Sequence, residues 1–248
     1  MQSTGEGGHM THEKLRRFSS WRITEHWMLL LTFVVLVITG LSQKFYTIDI
    51  SQWLIFHLGG IDLARLIHRY TGVIFSLMTI AHIFTGITGI ALRKWPPSMF
   101  INKEDISDLI HNIRYYLGME KSSAVCGRYN YRQKFEYWGV LLSGVLMMFT
   151  GLILWAPALV TRFLPGEVIP AAKVLHTNQA FLMFLVIALW HIYNSIFSPE
   201  IFPLDTSIFT GYISRERMIH EHPVELESIE GGPQERLVPE YQEAGHGS

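Results

Sequence analysis

The sequence predicts an all-α membrane protein, built as a bundle of four transmembrane helices. Of its 248 residues, 49% are hydrophobic and only 17% are charged, which is apolar for a soluble domain of this length. The mean hydropathy is positive, at +0.22. Four separate apolar runs each approach or exceed the roughly 20 residues that a helix needs to cross a bilayer. Composition and run length together favour a multi-pass membrane protein.

The four predicted spans divide the chain into three regions. Residues 1–20 are polar and lack the cleavage pattern of a signal peptide, so we expect the first span itself to direct insertion. Residues 21–197 form the predicted membrane domain. Residues 198–248 are mostly polar, and we expect a C-terminal tail that is partly disordered or docked on a partner. The spans are predicted at residues 21–41, 63–92, 135–155 and 171–197.

Basic residues set the predicted orientation. Lys14, Arg16, Arg17 and Arg22 lie before or at the start of the first span, and the 93–134 connection is rich in Lys and Arg. The other two connections carry few basic residues. Because cytoplasmic loops are enriched in Lys and Arg, both termini and the long connection are predicted to be cytoplasmic.

Charge and cysteine content argue against several classes of function. The net charge is −1 and no long basic block is present, so the sequence carries no electrostatic signature of a nucleic-acid-binding protein. Cys126 is the only cysteine. A single cysteine argues against an internal disulfide, a zinc site of the CxxC type or an iron–sulfur cluster held by this chain.

Five of the twelve histidines fall inside the predicted spans, where other ionisable residues are rare. His26 lies in the first span, His68 and His82 lie in the second, and His176 and His191 lie in the fourth. An ionisable side chain at membrane depth is costly and usually has a functional partner. Neutral imidazole is an axial ligand of haem iron, and a haem buried between helices takes one ligand from each side. The pattern therefore favours haem binding over isolated interhelical hydrogen bonds.

The spacing within each helix supports two haem levels. His82 follows His68 by about 40° less than four helical turns, and His191 follows His176 by about 60° more, with a rise of about 21 to 22 Å in each case. Spans two and four run in the same direction, so His68 and His176 can share a level near the outer surface. Two irons stacked at this separation would carry electrons across much of the bilayer. Gly72, one turn after His68, would admit a flat ring, although small residues also mediate ordinary helix packing.

His191 has two candidate partners at the deeper, cytoplasmic level. His26 lies one turn inside the first span, and His82 lies about 16 Å of helical rise before Arg93. Depth alone does not choose between them.

Several short motifs resemble a known family. They are EHW in the first span, ARLIHRYTG opening the second, GRYNYRQKFEYW leading into the third, WAP at its end, VLH and WHIY in the fourth, and SRE and EHP at 214–223. Together these motifs resemble the cytochrome b (gamma) subunit of membrane-bound formate dehydrogenase and its relatives. The resemblance extends over most of the chain.

The resemblance implies which residues bind the cofactors. In that family the histidines matching His68 and His176 hold a haem b on the outer side, and those matching His26 and His191 hold a second haem b on the cytoplasmic side. A quinone, either menaquinone or ubiquinone, binds beside the cytoplasmic haem, with Asn130 among its expected contacts. Gln133 is a second candidate quinone contact.

Two alternative roles stay open for polar residues near these sites. His82 stands where the best-known member has an apolar residue. A rival scheme, similar to cytochrome b of quinol-oxidising complexes, would pair His82 with His191 and leave His26 unliganded. Arg22, Arg65 and Arg69 flank the ligand histidines, where they would either pair with haem propionates or extend to the interface.

The predicted function is that of a di-haem cytochrome b membrane subunit of a respiratory oxidoreductase. It would pass electrons between a periplasmic dehydrogenase, reached through an iron–sulfur subunit, and the membrane quinone. The chain would be the electron-transfer and quinone-reactive subunit and not the substrate-oxidising one. Alternatives are the cytochrome b subunit of a nickel–iron hydrogenase or of a quinol-oxidising periplasmic reductase. A non-redox transporter is the remote alternative, but no carboxylate lies at mid-membrane in the predicted spans.

Overall fold

The computed structural model describes residues 13–125, 127–198, 201–202 and 204–231. Cys126 and the histidines His9, His12 and His246 lie outside these ranges, as does the side chain of His220. The seven histidines outside the predicted spans are expected from the sequence to be solvated or partner-facing, and of these the side chains of His57, His111 and His222 are described.

Four long helices dominate the described chain and have the length and composition of membrane spans, which confirms the predicted fold class. They are α1 (Ser20–Lys44), α3 (Ile61–Ala91), α5 (Tyr131–Trp155) and α7 (Val168–Leu185), which continues to Phe197 through two π-helical segments, Val186–His191 and Tyr193–Phe197. The shorter elements are β1 (Lys14–Arg16), α2 (Asp49–His57), α4 (Lys103–Tyr116), α6 (Pro157–Val160), α8 (Ser207–Thr210), β2 (Tyr212–Ser214), α9 (Arg215–Glu221) and α10 (Pro223–Glu230).

Local chemistry explains where α1 begins and how its polar residues are tolerated. The Ser19 hydroxyl accepts a hydrogen bond from the backbone N–H of Arg22 at 3.4 Å, which caps the first turn. Further along, the hydroxyls of Thr32 and Thr39 donate to carbonyls one turn earlier, Met28 at 2.8 Å and Val35 at 2.7 Å. These bonds satisfy each hydroxyl proton inside the helix, so a threonine can occupy an apolar span at little cost.

The spans bury small side chains and expose large apolar ones, which is the reverse of the pattern in helices of a soluble protein. Their buried positions are mostly small or hydroxyl-bearing residues, whereas large apolar side chains such as Leu31, Phe84 and Leu189 are exposed. In lipid there is no hydrophobic gain from burying leucine between helices, so helix contacts use small residues that allow close approach. The exposed apolar side chains therefore form a surface suited to contact with acyl chains.

The connection between the first two spans contains an ordered helix. This helix is α2, whose end is followed by Gly59 and Gly60 at φ values of 88° and 97°. Only glycine adopts these φ values without strain, so the pair allows the chain to turn sharply from α2 into α3.

The described chain divides into two compact units. The larger one comprises residues 16–101 and 132–213 and includes all four spans, although α5 begins one residue earlier. The smaller one comprises residues 102–131 together with the described parts of 1–15 and 214–248, and it contains α4, α9 and α10. The two strands, β1 and β2, pair as a two-stranded sheet.

The smaller unit gives an ordered structure to much of the segment that follows the fourth span. His222 is buried and its Nδ1 lies 2.9 Å from the carbonyl oxygen of Gly127, so the prediction that it is solvated or partner-facing is wrong. Arg128 forms an ion pair with buried Glu225 at 2.8 Å. Burial disfavours the charged guanidinium, but the Tyr129 hydroxyl and the Glu225 carboxylate outweigh that effect and raise the pKa of Arg128.

The two connection histidines make local contacts. His57 is exposed and its Nδ1 lies 2.8 Å from the carbonyl oxygen of Trp53, one turn earlier in α2. His111 is half-buried, with Nε2 3.0 Å from the carbonyl oxygen of Ser122. Both histidines are engaged with backbone within their own segments.

Candidate functional site

His68 on α3 and His176 on α7 face each other between the spans. Their ring centroids are 6.3 Å apart, and the ring planes make an angle of 75°. A metal–imidazole bond of about 2 Å places two imidazoles on opposite sides of one metal with centroids roughly 6 to 6.5 Å apart. The observed spacing therefore fits two axial ligands of one iron.

A threonine hydroxyl holds the Nδ1 atom of each of these histidines. Thr39 Oγ1 lies 2.9 Å from His68 Nδ1, and Thr150 Oγ1 lies 2.8 Å from His176 Nδ1. Each hydroxyl donates its proton to a backbone carbonyl one turn earlier at 2.7 Å, so its oxygen is left to accept from the imidazole. Nδ1 therefore carries the proton, and Nε2 keeps the lone pair that a metal ligand needs.

A glycine follows each of these threonines and makes room for the imidazole. A Cβ atom at Gly40 would lie 3.0 Å from Cε1 of His68, and one at Gly151 would lie 3.4 Å from Cε1 of His176. The same three letters, TGL, thus occur at 39–41 in α1 and at 150–152 in α5. This repeat is the signal in the sequence that could have identified both threonines.

A second pair of histidines, His26 on α1 and His191 on α7, has the same separation. Their ring centroids are 6.5 Å apart, with an angle of 40° between the planes. The Nδ1 atom of His26 is buried and has no hydrogen-bond partner among the described residues. A buried polar nitrogen without a partner is unusual, and it fits a ring that would bind a cofactor.

A carboxylate orients His191. Oε1 of Glu136, on α5, lies 2.5 Å from Nδ1 of His191, and most of the Glu136 side chain is buried. A carboxylate that accepts a hydrogen bond from Nδ1–H leaves Nε2 as the lone-pair nitrogen and makes the imidazole a stronger donor to a metal. Glu136 is not predicted from the sequence, because it lies at the start of a span that reads as an apolar run.

The π-helical turns of α7 affect where His191 points. Val186–His191 forms one π-helical segment, which occupies the last part of the interval from His176 to His191 and ends at His191. A π turn takes an extra residue, so the chain rotates less per residue than in an α-helix. This reduces the excess rotation of about 60° that an uninterrupted α-helix gives over this interval. His176 and His191 are thereby kept near one face of α7.

His82 lies in a different environment from the four paired histidines. Its Nε2 lies 3.0 Å from the Tyr137 hydroxyl, and its Nδ1 lies 3.4 Å from an amino group of Arg22 and 3.6 Å from the Glu25 carboxylate. Both ring nitrogens are thus engaged by polar side chains. The structure brings His26, and not His82, to His191.

The candidate quinone residues lie around the start of α5. Gln133 is half-buried in the first turn and shares a helix face with Glu136, which is three residues further on. Asn130 is also half-buried, precedes α5 and belongs to the smaller unit.

The candidate propionate-binding arginines differ in their surroundings. Arg22 pairs with Glu25 at 3.1 Å and lies over the Trp95 ring. Arg65 is exposed and pairs with Asp62 at 3.6 Å. Arg69 is exposed.

The chain is similar to several formate dehydrogenase cytochrome b556 subunits. It is 28% identical to the formate dehydrogenase cytochrome b556(fdo) subunit of Escherichia coli (strain K12), over 84% of this chain and 89% of the relative. A formate dehydrogenase cytochrome b556 subunit of Haemophilus influenzae is 34% identical over 68% of this chain and 65% of its own length. The nitrate-inducible formate dehydrogenase cytochrome b556(Fdn) subunit of E. coli (strain K12) is 23% identical over 83% and 87%.

The sequence profile of prokaryotic cytochrome b561 matches residues 17–211, which include all four spans and all five membrane histidines. The chain therefore belongs to the prokaryotic cytochrome b561 family, which are multi-pass membrane proteins that carry b-type haem.

Proposed function

We propose that this chain is the di-haem cytochrome b subunit of a formate dehydrogenase-type respiratory complex, passing electrons between a periplasmic dehydrogenase and the membrane quinone. One observation carries the proposal. Two histidine pairs, on different helices, have centroids 6.3 and 6.5 Å apart, a spacing that fits axial ligation in both cases.

His68 and His176 would hold the haem on the periplasmic side, and His26 and His191 the haem on the cytoplasmic side. When bound, each haem would supply an iron that takes up and passes on one electron at a time. The chain contributes the ligand nitrogens, the tautomers fixed by Thr39, Thr150 and Glu136, and an apolar surrounding that limits water access. His82 is not included, since polar side chains engage both of its nitrogens.

The order of the two sites follows from the helices that carry them. His26 lies near the start of α1 and His191 near the end of α7, so these residues lie at one side of a membrane that the helices span. His68 and His176 lie near the starts of α3 and α7, at the opposite side. The distribution of basic residues supports a cytoplasmic location for the His26–His191 side and for both termini, within a bacterial inner membrane.

The quinone would bind on the cytoplasmic side, close to His191. Gln133 and Glu136 share a face of α5, and Glu136 contacts His191, so a quinone held by Gln133 would lie close to that haem. Asn130, immediately before α5, is the second proposed contact. Reduction of the quinone consumes two electrons and two protons, and the protons would come from the cytoplasm.

The partners follow from the relatives. The similar subunits are named for formate dehydrogenase, which supports a periplasmic catalytic subunit and an iron–sulfur subunit as the source of electrons. Electrons would enter at the His68–His176 site, which is the nearer to such partners.

The test is haem content measured on purified single-site variants. The unchanged chain should contain two haems b per polypeptide by a pyridine haemochrome assay and show a b-type α band on reduction. Each of His26→Ala, His68→Ala, His176→Ala and His191→Ala should retain one haem, because a single imidazole holds haem much more weakly than two.

His82→Ala and the exposed-loop control His57→Ala should keep both haems. Loss of a haem from His82→Ala together with retention by His26→Ala would establish the rival pairing. Absence of haem from the unchanged, folded chain would refute the electron-transfer proposal altogether.

A further inference from the structure

Helix α4, in the connection between the second and third spans, exposes apolar side chains and buries polar ones. Ile106, Ile110 and Ile113 are 57%, 47% and 50% exposed. On the same helix, Asp105 and Asn112 are 7% and 5% exposed. A helix on the surface of a soluble domain normally buries its apolar face and exposes its polar one.

The side chains of α4 fall into three arcs around its axis. At 100° per residue, six apolar side chains fall within one arc of about 120°, the apolar arc. A buried arc beside it holds Asp105 and Asn112, and the remaining arc is mostly polar and includes the exposed residues Glu104 and Ser107. The apolar arc consists of Ile106, Leu109, Ile110, Ile113, Tyr116 and Leu117, all of them exposed.

Specific contacts fix the orientation of the helix. Asn102 and Asp105 form a capping box at its start, with bonds of 3.0 and 2.8 Å between side chain and backbone. Asn112 accepts a hydrogen bond from the backbone N–H of Ala124 at 2.7 Å. Because the Asn112–Ala124 bond holds the buried arc against the rest of its own unit, the adjacent apolar arc faces outward.

We propose that the apolar arc of α4 lies in the interface of the phospholipid bilayer, with its side chains among the upper acyl chains. The connectivity of the chain favours the bilayer as the surface that the apolar arc contacts. Residues 92–130 join α3 to α5, and both of these helices span the membrane, so the connection begins and ends at one membrane surface. An amphipathic helix tethered at a bilayer surface buries its apolar face about 5 to 10 Å into the headgroup region.

The charges on α4 fit this arrangement. Lys103 and Arg114 lie at one edge of the apolar arc, where their side chains can extend to lipid phosphates. The acidic residues Glu104, Asp105 and Asp108 lie on the other two arcs, away from the lipid. Tyr116, at the opposite edge of the apolar arc, is the type of aromatic residue enriched at membrane interfaces.

The experiment measures how well oxygen and a water-soluble nickel chelate reach spin labels on α4. The full chain, with its copurifying partners, is placed in phospholipid nanodiscs. Cys126→Ala removes the native thiol, and one label is attached at Ile110→Cys in the apolar arc or at Ser107→Cys in the exposed polar arc. The proposal predicts a severalfold higher ratio of oxygen to chelate collisions at position 110 than at position 107.

Two results would overturn the proposal. Equal access of the chelate to both positions would mean that the apolar arc faces water. Shielding of position 110 from both reagents would mean that a protein partner covers it. The haem spectrum reports whether each variant is folded, and Ile106→Cys replaces Ile110→Cys if that variant loses haem. The outcome does not depend on the proposed electron-transfer function.

Discussion

At the scale of single residues, the protein treats its two periplasmic-side imidazoles alike. The hydroxyls of Thr39 and Thr150 each donate a hydrogen bond to a carbonyl of their own helix and accept one from a histidine on another helix. The helical carbonyl thus decides the direction of the hydrogen bond to histidine. This arrangement selects the Nδ1–H tautomer without any charged group at that depth of the membrane.

We predict that Thr39→Val raises the midpoint potential of one haem by tens of millivolts. Valine has the shape of threonine but cannot accept the Nδ1 proton, so His68 becomes a weaker donor and the oxidised iron is less stabilised. A net hydrogen bond contributes about 1 kcal/mol, which limits the effect to this range. The measurement is a redox titration followed at the reduced α band.

Two further variants make this prediction specific. Thr150→Val should raise the potential of the same haem, because Thr150 holds its other ligand. Thr32→Val is the matched control, since Thr32 is also buried in α1 and bonded to a carbonyl one turn earlier, but its hydroxyl contacts no histidine among the described residues. If the two active-site variants moved different haems, the pairing of His68 with His176 would be wrong.

The sequence could identify the histidines but not the residues that orient them. Histidine is conspicuous in a span because ionisable groups there are costly, and its spacing can be checked against helical geometry. Threonine and glycine are ordinary at helix contacts in membranes, so neither TGL segment differs from a packing motif until its partner is known. Glu136 follows the same logic, because its role depends on a helix that is distant in sequence.

At the scale of elements, α7 is the helix whose local structure matters most to the site. It carries one histidine of each pair, and the π-helical segment Val186–His191 occupies the last part of the interval between them. In an uninterrupted α-helix, as predicted from the sequence, His191 would be rotated by about 60° from the face of His176. An apolar sequence gives no signal for π turns, because the extra residue is accommodated only where contacts with other helices stabilise it.

Deleting Ala188 should preserve both haems. The deletion removes the residue that the π turn accommodates, so His191 would follow His176 by fourteen α-helical steps, about 40° short of four turns. Inserting an alanine after Ala188 should instead cost the His26–His191 haem, because it adds a further rotation of about 100°. Haem stoichiometry of the two purified variants is the measurement. Haem loss on deletion with retention on insertion would contradict this account of the π turn.

At the scale of the whole chain, the number of spans was predictable and the structure of the connections was not. Apolar runs near the bilayer thickness are the strongest signal in a membrane sequence, and the four predicted spans match the observed helices to within a few residues. The structure of the connections has no comparable signal in the sequence. Buried polar contacts such as Arg128–Glu225 and His222–Gly127 order the smaller unit, and each joins residues that are far apart in sequence.

The arrangement of the two proposed haem sites in series makes a prediction about the order in which they are reduced. If the quinone binds on the cytoplasmic side, a quinol should reach the periplasmic-side haem only through the cytoplasmic-side one. The remaining haem of His176→Ala should therefore be reduced by a low-potential quinol about as fast as in the unchanged chain.

The remaining haem of His26→Ala should be reduced by quinol at least an order of magnitude more slowly, because about 20 Å of helix separates it from the quinone site. Stopped-flow absorbance at the α band measures both rates. Dithionite, a small reductant that does not depend on the quinone site, serves as the control and should reduce the haem fully in either variant. Faster quinol reduction in His26→Ala than in His176→Ala would place the quinone at the opposite side of the membrane, and would reverse the direction of the electron path with respect to the membrane.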